Sequence, residues 1–239
     1  MLRGLWLWAV LILVSIACGI PAALVSAVRP RSDTAMRLAR LWSRALLATA
    51  GARVEYVGLE HCHDRGPRVF VSNHQSYVDI WALIRVLPLS TRFIAKQELR
   101  RVPVIGLAMA VSGFIFVDRA DRGRAIDTLQ EAAARIRGGR SVMVFAEGTR
   151  TRDGLLQPFK KGPFHLALEA GVPIVPVIIH GSWQILRPAT LRVRPGSVRV
   201  RFLEPVDVRP YRPQDVIGLL QHVHALFREH LPSASAGTS

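Results

Sequence analysis

The stretch RVFVSNHQSYVDIWALIRVL, residues 68–87, passes from a strand pattern to a helix pattern with no linker between them. Its first five residues are rich in β-branched and aromatic side chains, which favours a short buried strand. Residues 76–79 match the capping signature Ser-x-x-Asp, in which two side chains satisfy free backbone N–H groups at the start of a helix. The stretch therefore predicts a strand that leads directly into a capped helix.

The same alternation of strand and helix patterns continues along the chain. Further helices are predicted in DRGRAIDTLQEAAARIRGG and GPFHLALEAG, and strands in VEYVG, RFIAK, FIFVDR, SVMVFAEG, PIVPVIIHG and the hairpin-like LRVRPGSVRVRFLE. This alternation predicts an α/β fold over residues 52–230, with a mostly central β-sheet flanked by helices. The small, polar residues 231–239 are expected to form a flexible tail.

The amino terminus is the most apolar part of the chain, with 25 uncharged residues between Arg3 and Arg29. About 20 helical residues are enough to cross a bilayer core, so we expect a membrane anchor. A cleaved signal peptide is the alternative, because small residues lie near the end of the segment. A bend at Gly19 and Pro21 would instead let the segment enter one leaflet only. Because arginine stands at both ends, charge gives no orientation.

A second helix is predicted over residues 33–51, with Asp33 as its N-cap and Gly51 as its end. Its apolar residues recur at helical spacing, while Arg37, Arg40 and Arg44 follow one another on a different face. Such a helix lies either on an ordinary protein surface or among lipid headgroups. Its position beside the anchor favours the headgroups, so residues 1–51 are assigned to membrane-anchoring helices.

Charge and cysteine content narrow the function. Lys and Arg outnumber Asp and Glu by 32 to 17, a net charge of +15, which suits a nucleic acid, a phospholipid surface or a phosphorylated substrate. Cys18 and Cys62 suggest no disulfide framework. His61 and His63 flank Cys62, but immediate neighbours cannot complete a tetrahedral site without other ligands, so no metal site is predicted.

Polar residues follow several of the predicted strands, at the edge where α/β proteins bind ligands. On a continuous helix His74 and Asp79, five residues apart, would point about 140° away from each other. If His74 lies in the loop and Ser76 caps the helix, Asp79 in the first turn can point back to the imidazole. A carboxylate on one ring nitrogen would prepare the other nitrogen to act as a general base. Capping alone also explains Ser76 and Asp79, and the residues by themselves leave both interpretations open.

Four junctions in this order resemble the motifs of the 1-acylglycerol-3-phosphate O-acyltransferase family, within the glycerolipid acyltransferases. Residues 113–119 are similar to its second motif, and residues 145–150, FAEGTR, to its third, FPEGTR, with Ala146 in place of proline. Residues 172–177 are similar to its apolar fourth motif. The first motif, N-H-x-S-x-x-D, is matched at Asn73, His74, Ser76 and Asp79. The resemblance favours the catalytic interpretation, with His74 as base and Asp79 as its orienting partner.

The resemblance implies transfer of a fatty acyl group from a thioester, acyl-CoA or acyl carrier protein, to the 2-hydroxyl of a lysophosphatidate. It implies no cofactor beyond that co-substrate and no metal. The phosphate and glycerol would be bound by Lys96, Arg119, Glu147, Gly148, Thr149 and Arg150. Lys160 and Lys161 are expected on the surface, where an acidic carrier or lipid headgroups could meet them.

Two alternatives assign the protein a different binding partner. The motifs report on acyl transfer more than on the headgroup, so a lyso-ornithine lipid or another lysophospholipid could be the acceptor. A membrane-tethered nucleic-acid binder would use the positive charge, but the arginines are scattered and binding would not need His74 and Asp79. We therefore expect an enzyme of the bacterial inner membrane, active on the cytoplasmic face, with a phospholipid surface but no nucleic acid as partner.

Overall fold

A computed structural model describes residues 2–29, 33–63 and 66–231. Two short 3-10 helices, Gln97–Arg101 and Pro213–Asp215, accompany the longer elements. The helices are α1 (Leu2–Val28), α2 (Thr34–Ala50), α3 (Leu59–His63), α4 (Tyr77–Val86), α5 (Ile105–Val111), α6 (Arg122–Arg137), α7 (Gly162–Ala170), α8 (Ser182–Ile185) and α9 (Val216–His230). The strands are β1 (Ala52–Val57), β2 (Val69–Ser72), β3 (Arg92–Lys96), β4 (Ile115–Val117), β5 (Val142–Phe145), β6 (Ile174–His180) and β7 (Gly196–Phe202).

Within the described residues the seven strands form one sheet in the order β1-β7-β6-β2-β5-β3-β4. Neighbouring strands are parallel except for the antiparallel pair β6 and β7. Strand β2 is central, with Val71 opposite Val144 on one side and Pro176 on the other. All four residues of β2 are buried, as expected for a strand covered on both faces. The predicted α/β fold with a central sheet is confirmed.

The sheet is covered by helices on both faces because successive side chains of each strand point to opposite sides. Val69 and Val71 pack with α6, α7 and α9 in one apolar core. Phe70 between them packs in the other core, with α1, α2 and α4. The two amino-terminal helices are therefore part of the second core and are packed against the sheet layer.

The parallel direction of β2, β5, β3 and β4 places their carboxyl ends at one edge of the sheet. The segments that follow these strands begin at Asn73, Ala146, Gln97 and Asp118. Three of the sequence motifs, which are far apart in the chain, are thereby brought to one edge, the usual place for a ligand in an α/β sheet.

The predicted hairpin over residues 191–204 is wrong. Only β7 is a strand in this region, and it pairs in parallel with β1 and antiparallel with β6. The residues before it form a single bridge, between Val193 and Leu186. Pro195 has no N–H group to donate to a strand ladder, which explains why the first half of the pattern does not pair.

Helix α2 has the predicted bounds, and Gly51 ends it in a left-handed conformation with a φ of 69°. The predicted side-chain cap by Asp33 is not formed. Instead the Asp33 carboxylate lies 3.7 Å from guanidinium nitrogens of both Arg92 and Arg140. Two arginines thus hold the carboxylate away from the start of the helix.

The three arginines of α2 do not form one solvated face. Arg37 and Arg44 are exposed. Arg40 is half-buried and donates a hydrogen bond of 2.6 Å to the carbonyl of Leu87. One of the three predicted headgroup contacts is therefore used inside the protein.

Among the described residues, one helix, α1, is long and apolar enough to cross a membrane, with a mean hydropathy of 2.4 over its most apolar 18 residues. It is continuous through Gly19 and Pro21. One face packs on α2 and on α5, where Gly19 lies against Val104 and Ala108. The opposite face exposes large apolar side chains, namely Leu2, Leu5, Trp6, Ile12, Leu13, Ile16, Ile20, Leu24 and Val28.

Candidate active site

The first motif places His74 and Asp79 in direct contact. Strand β2 ends at Ser72, and His74 lies in the loop that joins it to α4. Nδ1 of His74 is 2.8 Å from Oδ2 of Asp79, and the Asp79 side chain is wholly buried. This contact fixes the orientation of the imidazole and leaves Nε2 as the ring nitrogen available to a ligand.

The helix cap aims the carboxylate at the imidazole. Oδ2 of Asp79 also accepts the backbone N–H groups of Gln75 at 2.6 Å and Ser76 at 2.8 Å. The Ser76 hydroxyl accepts the N–H of Val78 at 3.3 Å, which completes a capping box, and donates to the carbonyl of Leu186 at 2.7 Å. The predicted cap is confirmed, and one carboxylate oxygen serves both the cap and His74.

The third motif folds around the backbone of the first. Oε1 of Glu147 accepts the N–H of His74 at 3.3 Å, and the carbonyl of His74 accepts the N–H of Thr151 at 2.9 Å. Gly148 has a φ of 76°, so the chain reverses there at a position that favours glycine. The two loops are therefore held together on both sides of His74.

Burial and aromatic contact act on the imidazole itself. The ring of Phe145 stacks on His74 with centroids 3.8 Å apart and an interplanar angle of 12°. Burial lowers the pKa of His74 below its usual 6.5, although Asp79 acts in the opposite direction. The imidazole is therefore neutral at pH 7 and able to accept a proton.

The Glu147 side chain contacts the backbone of this loop, and among the described residues it forms no ion pair with an arginine. It is 3 % exposed, and its Oε2 has no hydrogen-bond partner among the described residues. Burial raises the pKa of the Glu147 carboxyl to about 8, so the group is mostly protonated at pH 7. The structure thus brings Glu147 to the backbone of His74, and its predicted contact with glycerol stays a prediction.

Two of the predicted cationic residues have partners inside the protein. A guanidinium N–H of Arg119 donates to the carbonyl of Gly148, which ties the end of β4 to the third motif. Nζ of Lys96 lies 2.8 Å from Oε1 of Glu98, and both side chains are more than half exposed. A surface pair of this kind is weak and gives way easily to another anion.

Arg150 differs from these two, because its side chain forms neither a hydrogen bond nor an ion pair with another described residue. Its guanidinium carbon sits 3.8 Å from the centroid of the Tyr77 ring, a cation–π contact. The face of the guanidinium is covered while its N–H groups keep their hydrogen-bonding capacity. Among the predicted cations, Arg150 is thus the best prepared to bind an anion.

These residues stand at the polar end of a cavity of about 500 Å³. His74, Arg119, Gly148, Thr149 and Arg150 line that end, and Lys96 lies on the lining as well. Most of the remaining wall is apolar and comes from α1, α2, α4 and α5, including Leu11, Ala22, Ala39, Trp42, Ile80, Ile84, Ala108 and Met109. The cavity therefore joins an end lined by cationic side chains to a space suited to an alkyl chain.

The sequence did not point to several residues near the site. Phe145, Tyr77 and Trp8 line the cavity, and each is aromatic, a residue type that is equally common in an ordinary core. Lys160 is exposed, as expected, and lies beside the third motif, since its backbone N–H donates to the carbonyl of Ala146 at 2.8 Å. The fourth motif, by contrast, forms buried strand β6 beside β2 and does not line the cavity.

Residues 53–180 match the model of the Acyltransferase family. The 1-acyl-sn-glycerol-3-phosphate acyltransferase alpha of Ovis aries is 39 % identical over 210 residues, which cover 86 % of this chain and 73 % of that protein. The enzyme of the same name from Homo sapiens is also 39 % identical over 210 residues, covering 86 % of this chain and 74 % of that protein.

The fold has a solved counterpart in the crystal structure of the 1-acyl-sn-glycerophosphate (LPA) acyltransferase PlsC from Thermotoga maritima. The TM-score is 0.79 at 23 % identity, and the match covers 98 % of each chain. The similarity extends over the sheet and the amino-terminal helices alike. The chain belongs to the PlsC-type family of 1-acyl-sn-glycerol-3-phosphate acyltransferases and is an acyltransferase.

Proposed function

We propose that this enzyme transfers a fatty acyl group from a thioester to the 2-hydroxyl of 1-acyl-glycerol-3-phosphate and so makes phosphatidate. The observation that carries the proposal is the contact of His74 with Asp79 at the polar end of an otherwise apolar cavity that Arg150 also lines. The names of the similar sheep and human enzymes support the same acceptor.

His74 acts as the general base. An alcohol is a poor nucleophile at neutral pH, so Nε2 takes the hydroxyl proton as the oxygen attacks the thioester carbonyl. Asp79 holds Nδ1 and stabilises the imidazolium that forms. The carbon–sulfur bond then breaks, the imidazolium returns the proton to the thiolate, and an ester and a free thiol leave. The donor is acyl-CoA or acyl carrier protein.

The phosphate of the acceptor binds at the loop of the third motif. Arg150 offers a bidentate fork without a competing carboxylate, and Gly148 and Thr149 line the same end of the cavity. Arg119 and Lys96 add positive charge from the ends of β4 and β3. The 2-hydroxyl, a few bonds from the phosphate, is thereby brought to His74.

The amino-terminal helices bring the site to the lipid. Buried residues of α1 run from Gly4 to Ala22, so the domain packs along most of one face of the helix. A helix covered in this way is not free to be surrounded by lipid, and we place α1 within one leaflet, with its exposed apolar face in the acyl chains. Because acyl-CoA and acyl carrier protein are cytoplasmic, the enzyme works on the cytoplasmic face of the bacterial inner membrane.

Purified enzyme should be assayed for thiol release with one acyl-CoA and a panel of lyso-acceptors. We expect lysophosphatidate to be preferred over lysophosphatidylcholine and lyso-ornithine lipid, because Arg150 favours a phosphate monoester. An Arg150→Ala variant should lose that preference by raising the KM for lysophosphatidate. Transfer to lyso-ornithine lipid with no transfer to lysophosphatidate would show that the proposed acceptor is wrong, while the proposed acyl-transfer chemistry would still hold.

A further inference from the structure

Arg150 is held by an aromatic side chain that belongs to the first motif. Tyr77 is the first residue of α4, and the guanidinium carbon of Arg150 lies 3.8 Å from its ring centroid. Attraction to the face of an aromatic ring fixes where a guanidinium sits without using its N–H donors. His74 lies three residues before Tyr77. Tyr77 therefore sets the position of the Arg150 charge relative to His74.

Tyr77 is itself in contact with the amino-terminal helix. Trp8 of α1 meets the Tyr77 ring edge-on, with centroids 6.1 Å apart and an interplanar angle of 88°. Its neighbour Leu7 is 1 % exposed and belongs to the core beneath the sheet. The place of Trp8 against Tyr77 is thus fixed by the packing of α1 on the domain.

We propose that Trp8 and Tyr77 form an aromatic bridge through which helix α1 positions Arg150 for the acceptor phosphate. The bridge makes the amino-terminal helix part of the headgroup site as well as a membrane contact. Trp8, Tyr77 and Arg150 line one cavity together with His74. Through the two ring contacts, a displacement of α1 would move Tyr77 and with it Arg150. The inference rests on the proposed role of Arg150 in binding the acceptor phosphate.

The bridge predicts a selective effect on acceptor binding. In detergent micelles, where attachment to a bilayer plays no part, Tyr77→Leu should raise the KM for lysophosphatidate about tenfold, the scale of a partly desolvated cation–π contact. The KM for acyl-CoA should stay within about twofold, because Arg150 does not hold the donor. Tyr77→Phe keeps the ring and should keep the KM for lysophosphatidate.

Trp8 acts through Tyr77, so the two substitutions should not add. Trp8→Leu alone should raise the KM for lysophosphatidate about threefold, and Trp8→Phe, which keeps a ring edge, much less. The double variant with Tyr77→Leu should resemble Tyr77→Leu alone, as for residues that act in one chain of contacts. Tyr211→Leu, whose hydroxyl bonds to His222, is the matched control and should leave the KM unchanged.

The outcomes separate the bridge from the proposed function. If Arg150→Ala leaves the KM for lysophosphatidate unchanged, the headgroup assignment fails and the bridge fails with it. If Arg150→Ala raises that KM while Tyr77→Leu does not, or Tyr77→Phe raises it as much as Tyr77→Leu, the bridge alone is wrong. Additive effects of Trp8→Leu and Tyr77→Leu would refute the link to α1. Vesicles of phosphatidylcholine and phosphatidylglycerol should bind all folded variants alike. Weaker vesicle binding by Trp8→Leu with an unchanged KM in micelles would assign Trp8 to membrane attachment and refute the bridge to α1.

Discussion

Replacing Glu147 with Gln is expected to remove a strong dependence of the free energy of unfolding on pH. The Glu147 carboxyl is buried, with a pKa raised from 4.5 to about 8. Between these values the unfolded chain releases the proton while the folded protein keeps it. The free energy of unfolding therefore falls as pH rises, by about 1.4 kcal/mol per pH unit for this one group. Gln has no proton to release, so the variant lacks this slope.

The expected size follows from the pH interval. From pH 5 to pH 7 the wild-type protein should lose about 3 kcal/mol relative to Glu147→Gln. Oε1 of the amide can still accept the N–H of His74, so the loop keeps its hydrogen bond. Urea unfolding in detergent micelles at several pH values, followed by tryptophan fluorescence, measures the difference between the two proteins.

Glu169→Gln is the matched control, because it removes a carboxyl that is 60 % exposed and pairs with Arg137 at 3.8 Å. Its curve of unfolding free energy against pH should run parallel to that of the wild type. If the difference in unfolding free energy between Glu147→Gln and wild type stays constant from pH 5 to pH 7, Glu147 is ionised in the folded protein and its carboxyl does not have a raised pKa.

Three further substitutions test the site. Phe145→Leu should admit water to the imidazole and raise the pKa of His74 toward 6.5. The acid limb of the pH profile of kcat/KM should then move to higher pH, whereas Phe116→Leu, the control, should leave it in place. An unmoved limb in Phe145→Leu would contradict the role of the stacked ring. Ser76→Ala should lower the free energy of unfolding in urea by about 1–2 kcal/mol, because removing a wholly buried hydroxyl takes a hydrogen-bond partner from the N–H of Val78 and from the carbonyl of Leu186. Unchanged stability would argue against the cap. Arg150→Lys should raise the KM for lysophosphatidate about tenfold, because Lys lacks the planar fork, whereas Arg152→Lys should not; equal KM values would show that charge alone suffices.

The site was predictable where the signal was local. Ser76 and Asp79 mark the start of α4, and that cap is what turns Asp79 toward His74. The helix bounds at residues 34–50 and the central sheet were predictable for the same reason, since caps, glycine ends and apolar periodicity act over a few residues.

Features that depend on distant partners were not predictable. The pairing of β7 with β1 joins residues about 140 positions apart, and its pattern looked like one half of a hairpin. Asp33 matches a helix cap in the sequence, but in the fold its carboxylate pairs with Arg92 and Arg140, which are distant in the chain. The stacking of Arg150 on Tyr77 joins the loop of the third motif to the start of α4, and their spacing in sequence carries no signal.

In the proposed mechanism His74, oriented by Asp79, removes the proton from the acceptor hydroxyl. The most direct measurement is the rate of acyl transfer from acyl-CoA to lysophosphatidate by folded His74→Ala at saturating substrates. A positioned general base contributes about a hundredfold to ten-thousandfold to the rate, so we expect a loss of that size in kcat with binding of lysophosphatidate retained. A His74→Ala enzyme that transferred the acyl group at the wild-type rate would contradict it.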